Sequence, residues 1–156
     1  MAIAIRATSV PPLAGRKPGD HELDLFGLTH IGKVRKTNQD HFLLCTVHPH
    51  VIVHGTSLPA SDALPLMGQR HATVMLVADG VGGSTAGGQA SQLAVEAVTR
   101  YVSGTLRCYH ASGNADQDAF EDALRTAANE AHEAVRAGAA SQPETAGMAT
   151  TLTLAI

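Results

Sequence analysis

The chain contains no tryptophan, and only three phenylalanines and two tyrosines among its 156 residues. A core without bulky rings has to be assembled from alanine, valine, leucine and isoleucine. Cysteine is nearly absent too. Cys45 and Cys108 stand apart with no Cys-x-x-Cys pairing, which reads as two reduced thiols rather than a disulfide. There is no surplus of positive charge, since the formal net charge is −3. That leaves no basic footprint and argues against nucleic acid as a partner. The N-terminus lacks the apolar stretch of a signal peptide, and no later segment reaches membrane-spanning length. These absences imply a cytoplasmic protein that does not engage membranes. The length suits one domain, and 44% hydrophobic with 16% charged residues is ordinary for a globular protein.

Residues 1–20 carry Pro11, Pro12, Gly15, Pro18 and Gly19 and read as a mobile leader, leaving 21–156 for the domain. Glu22–Thr29 alternates loosely and predicts a first strand. Gly32–Gln39 is polar and basic, hence a loop. Asp40–Val47 predicts a second strand, and Pro49–Arg70 a long connection broken by prolines and glycines. Ala72–Ala78 predicts a third strand, whose unbroken hydrophobicity implies burial on both faces. Ala90, Leu93, Ala94, Ala97, Val98, Tyr101 and Val102 recur at helical spacing and predict a helix over Ala86–Arg107. A second helix is expected over Asp116–Ala140, capped by Asn114 or Asp116 and ended by Gly138 and Pro143. Met148–Ile156 is a strand by composition. An apolar strand at the chain's end would be an exposed edge, which implies the front part of a longer domain or a truncated product.

Chemistry concentrates where the third strand ends. Asp79-Gly80-Val81-Gly82-Gly83 places one carboxylate at the mouth of an apolar run, where it is costly unless a cation meets it. The glycines permit close approach of the main chain to a ligand. Three readings compete: a metal site, a dinucleotide-binding unit, and a helix cap. The dinucleotide fingerprint fails because Thr85 stands where its last glycine belongs. Asp79 would also repel a bound pyrophosphate unless a divalent cation bridged them. A second cluster, Arg35-Lys36-Thr37-Asn38-Gln39-Asp40, joins a guanidinium suited to phosphate with oxygen donors suited to Mg²⁺ or Mn²⁺. Taken alone, such a cluster is more often a solvated loop. Gly147-Met148-Ala149-Thr150-Thr151 is a third, weak signal. His48, His50 and His54 cluster, but no cysteine or carboxylate joins them at structural-zinc spacing.

The order and content of these pieces resemble the metal-dependent protein serine/threonine phosphatases of the PPM, or type-2C, family. That family carries an early Arg with an Asn-Glu-Asp-like triplet, then Asp-Gly-Met-Gly-Gly after a buried strand, a long helix, and a Gly-Met-Gly-Thr-Thr strand. Ala86-Gly87-Gly88-Gln89-Ala90-Ser91 also resembles its Ala-Gly-x-x-Ala-Ser. The resemblance spans Leu23–Ile156. It implies an α+β fold, the N-terminal part of a four-layer α-β-β-α sandwich, with two Mn²⁺ or Mg²⁺ ions in a cleft. It implies that Asp79 bridges both metals, the Gly80 carbonyl ligates one, Gln39 supports one, Asp40 orders metal-bound water, and Arg35 holds the substrate phosphate. Water activated by the metals would attack phosphorus directly.

Gln39 replaces the family's usual Glu, which removes a negative charge and implies weaker binding of one ion. The family's later metal-binding aspartates follow the strand where this sequence stops. Two functions are therefore expected in competition. One is hydrolysis of phosphoserine and phosphothreonine in proteins that a serine/threonine kinase has modified. The other is a catalytically inactive segment acting as a binding module.

Overall fold

Alternation in one strand sets the architecture. The computed structural model describes residues 2–7, 18–50, 52–54, 57, 67–82, 86–109 and 117–156. Its strands are β1 (Ala2–Ala7), β2 (Leu23–Leu28), β3 (Asp40–Val47), β4 (Ala72–Val81), β5 (Ala149–Thr150) and β6 (Thr153–Ala155); its long helices are α1 (Ala86–Tyr109) and α2 (Gln117–Ser141). Along β4, Ala72, Val74, Leu76, Ala78 and Gly80 are buried, while Thr73, Met75 and Val77 are half-buried and Asp79 is exposed. Successive side chains of a strand point to opposite faces, so one face of β4 is sealed and the other is only partly covered. The unbroken hydrophobicity predicted two sealed faces. The half-buried residues on the second face are no less apolar, and the sequence carries no mark of how much covers them.

The sealed face lies under α1. Ala72, Val74 and Leu76 pack with Ala94, Ala97, Val98 and Val102 of that helix and with Ala131 of α2, while Leu43, Cys45 and Val47 of β3 close the side. The helical spacing of those alanines and valines makes a narrow, smooth stripe. Full burial of Leu76, Val74 and Val98 contributes roughly 1.5–3 kcal/mol each. Small residues let strand and helix approach closely. That is how a core nearly free of aromatic rings is filled.

All strand pairings are antiparallel. β4 takes β3 on one side and both β5 and β6 on the other. No parallel β-α-β unit occurs among the described residues, which removes the dinucleotide-binding alternative. The C-terminal strand predicted over Met148–Ile156 is two short strands on β4, interrupted at Thr151-Leu152.

The leader holds a strand that its prolines and glycines hid. Ala2–Ala7 pairs with β2 from Ala2↔Leu28 to Ala7↔Leu23, and the helix-breaking and strand-breaking residues come only after residue 10. This ribbon leans on the second face of the main sheet, where Gly27 sits so close to the Phe42 ring that a Cβ would lie 2.3 Å from it. The buried Arg70 fastens the same region: its Nε donates to Asp20 Oδ1 at 2.7 Å, and its other nitrogens donate to Thr73 and to the Pro18 carbonyl. No helix among the described residues is long and apolar enough to cross a membrane.

Candidate active site

Register brings two carboxylates together. β3 and β4 pair so that Asp40 lies opposite Asp79. Cross-strand partners share a face, here the face turned away from α1. Burial, the hydrogen bond to Asp79 and the charge of Asp79 push the Asp40 carboxyl above its ordinary value, against the opposing pull of Arg35. Like charges directly opposite in an antiparallel pair are destabilising. Asp79 extends from a strand that continues to Val81, away from the helix, so it is no helix cap.

Backbone locks hold the pair in place. The Asp79 carbonyl accepts from the Thr150 hydroxyl and from the Thr151 N–H, both at 2.9 Å, and the Asp79 N–H donates to Thr151 Oγ1 at 3.3 Å. These contacts explain the two threonines that the sequence showed only as a weak pattern. On the other strand, Asn38 Nδ2 donates to Thr29 Oγ1 at 2.7 Å while its Oδ1 accepts from the Asp40 N–H at 3.2 Å. One side chain thus clamps both ends of the loop that carries Arg35.

The glycines act by closeness. A Cβ on Gly80 would lie 2.0 Å from the Gly87 carbonyl oxygen and 2.8 Å from that of Gln39. Gly80 therefore lets the start of α1 press directly on β4. Gly82 adopts a φ of 151°, a conformation open to glycine and strained for other residues. Ser91, fully buried on α1, donates to the Gln39 carbonyl at 2.6 Å and lies 2.8 Å from His41 Nδ1. Neither Ser91 nor His41 was singled out from sequence. Ser91 stood within a recognisable helix start, but its partners are about fifty residues away in the chain.

Gln39 is buried, and its amide is engaged on both sides. Arg35 Nη1 donates to Gln39 Oε1 at 2.9 Å, and Gln39 Nε2 donates to the Gly82 carbonyl at 3.3 Å. Arg35, Gln39, Asp40, Asp79 and the turn after Gly80 are thereby drawn together from two strands and two loops. The hard oxygens of Asp40 and Asp79 fit a divalent ion of the Mg²⁺ type, which is commonly held by one or two carboxylates and keeps several waters. Among the described residues no group of three or more His, Cys, Asp or Glu side chains could hold a metal. The histidine cluster does not form a zinc site there. His48 instead meets Thr46, the Gly68 carbonyl and Asp20.

Comparison with known proteins bears on this centre. No curated protein matches the chain. The family model described as protein phosphatase 2C matches residues 54–156, which include β4 with Asp79, both long helices and the two threonines. Arg35, Gln39 and Asp40 precede the matched stretch and join it through the β3–β4 register. With well over half its length matched, the chain belongs to the protein phosphatase 2C family.

Proposed function

We propose that this centre serves metal-dependent hydrolysis of phosphoserine and phosphothreonine in proteins, within a four-layer sandwich of which the described sheet and helices are one half. The observation that carries the reading is the Asp40–Asp79 pair, two carboxylates forced together where nothing but a cation would make their repulsion useful. Asp79 and the Gly80 carbonyl would hold metal, Asp40 would bind and orient the attacking water, and Gln39 would support the site. Two Mn²⁺ or Mg²⁺ ions, when bound, would neutralise the pair and the phosphate and lower the pKa of the attacking water.

The chain's own residues supply the rest. Arg35 offers a planar fork matched to two phosphate oxygens. The Gln39 amide holds that fork from behind, so less side-chain entropy is lost when phosphate arrives. The Thr150 and Thr151 contacts keep the Asp79 main chain from shifting as charge builds. Substrates would be phosphoproteins in the cytoplasm, produced by a serine/threonine kinase.

A second reading, a segment that binds phosphopeptides without turnover, is favoured by the two-carboxylate donor set. Release of phosphate from a phosphothreonine peptide with Mn²⁺ present separates them. The enzyme reading expects turnover that is lost in Asp79→Ala. Absence of turnover in the wild type favours the binding module, and full activity in Asp79→Ala refutes the metal role of Asp79.

A further inference from the structure

The chain has only three lysines, and two of them, Lys33 and Lys36, stand in the loop that leads to the site. From Leu25 to Gln39 there is no carboxylate. The other basic side chains with described contacts all have an oxygen partner: Arg70 with Asp20, Arg100 with Glu96, Arg125 with Asp122, Arg136 with Glu133, and Arg35 with Gln39. Lys33 and Lys36 are exposed and, among the described residues, have no ion pair or hydrogen bond. Two unneutralised cations in a chain of net negative charge flank the arginine that faces the carboxylate pair.

The loop presenting them is held in shape. Asn38 ties Thr29 to the Asp40 backbone, and the Gly32 N–H donates to His30 Nδ1 at 2.9 Å. Between the lysines, Val34 is 94% exposed, an apolar contact with no partner of its own. Cation, apolar side chain and cation, fixed beside a phosphate-binding arginine, match an extended peptide better than a lone phosphate ion.

We propose that the loop Thr29–Asp40 selects phosphopeptides with acidic residues flanking the phosphorylated residue, read by Lys33 and Lys36 with Val34 against the peptide chain. The inference rests on the phosphatase reading for the role of Arg35. Its test uses binding rather than turnover, so the two can fail separately.

Fluorescence anisotropy would compare three labelled peptides on the full chain: a phosphothreonine peptide with Asp and Glu flanks, the same peptide with Ala flanks, and the acidic peptide without phosphate. The acidic phosphopeptide should bind about fivefold more tightly than the Ala-flanked one, as expected for two exposed ion pairs. The preference should shrink in high salt and disappear in Lys33→Gln/Lys36→Gln. Equal binding of the two phosphopeptides, or a preference that survives in the double variant, overturns the proposal. So does equal binding of the unphosphorylated peptide, or no binding of any peptide. Selective binding without phosphate release would overturn the enzyme reading alone.

Discussion

Asp40 and Asp79 face each other across the β3–β4 ladder, and burial, followed by the hydrogen bond to Asp79 and its charge, raises the Asp40 carboxyl above its usual range. The fold thus carries an electrostatic cost at the place where the chemistry would occur. Sites that hold metal are commonly built in this way, because the ion reverses the sign of the interaction between its ligands.

That cost has a pH dependence. A carboxyl whose folded pKa exceeds its unfolded value favours the fold below the unfolded value, and this advantage is lost as pH rises through the folded pKa. At neutral pH the ionised Asp40 therefore opposes folding of the metal-free chain. Asp40→Asn should stabilise that chain by about 0.5 kcal/mol in urea unfolding at neutral pH. The gain should fade at about pH 3.5, where the unfolded carboxyl is itself protonated. A gain of equal size at both pH values would show that the charge pair is not its source.

Gln39→Glu probes the amide that ties Arg35 to the Gly82 turn. A carboxylate there adds a negative charge beside the metal donors and pairs more tightly with the guanidinium. Mn²⁺ should bind about tenfold more tightly, in line with an outer-shell change at a metal site, while inorganic phosphate binds more weakly. Calorimetric titration of each ligand reads both effects. Unchanged affinities for both would remove Gln39 from the site.

Two glycines should respond in opposite directions. Gly80→Ala drives a methyl into the Gly87 carbonyl and should cost about 3 kcal/mol, as overpacking does. A Cβ on Gly104, within α1, meets nothing inside 4 Å. Gly104→Ala should therefore stabilise the chain by roughly 0.5–1 kcal/mol through helix propensity. Denaturant midpoints of the two variants measure the contrast.

Ser91→Ala removes a buried hydroxyl shared by the Gln39 carbonyl and the His41 ring. The carbonyl keeps the Gly80 N–H at 3.1 Å, but His41 Nδ1 loses its hydroxyl partner. A cost of about 1–3 kcal/mol is expected, the usual range for stranding a buried polar group. Urea unfolding measures it, and a change under 0.5 kcal/mol, the usual size for neutral surface substitutions, would assign Ser91 no structural role.

Much of this architecture can be read from residue order. Alternating and helical apolar spacing located β3, β4, α1 and α2 to within a few residues. The cluster around Arg35 and the turn at Asp79 stood out because unusual residue types adjoin an apolar run. Pairing was less legible. Nothing local in Asp40-His41-Phe42 reveals that Asp40 will face Asp79, because register is settled by the whole apolar pattern of both strands. The contacts of Ser91, Asn38 and Thr151 reach across the chain, so their side chains look like ordinary polar residues until the fold assembles. β1 escaped notice because its alternation of alanine and isoleucine is brief and precedes a stretch rich in proline and glycine.

Calorimetric titration of Mn²⁺ into the wild-type chain, Asp40→Asn and Asp79→Asn tests the central claim most directly. If the facing carboxylates form a metal centre, the wild type binds Mn²⁺ and each variant loses at least about tenfold in affinity, as removing a charged ligand requires. The loss should be larger for Asp79. Wild-type affinity in both variants, or no binding by the wild type at neutral pH, would contradict the account.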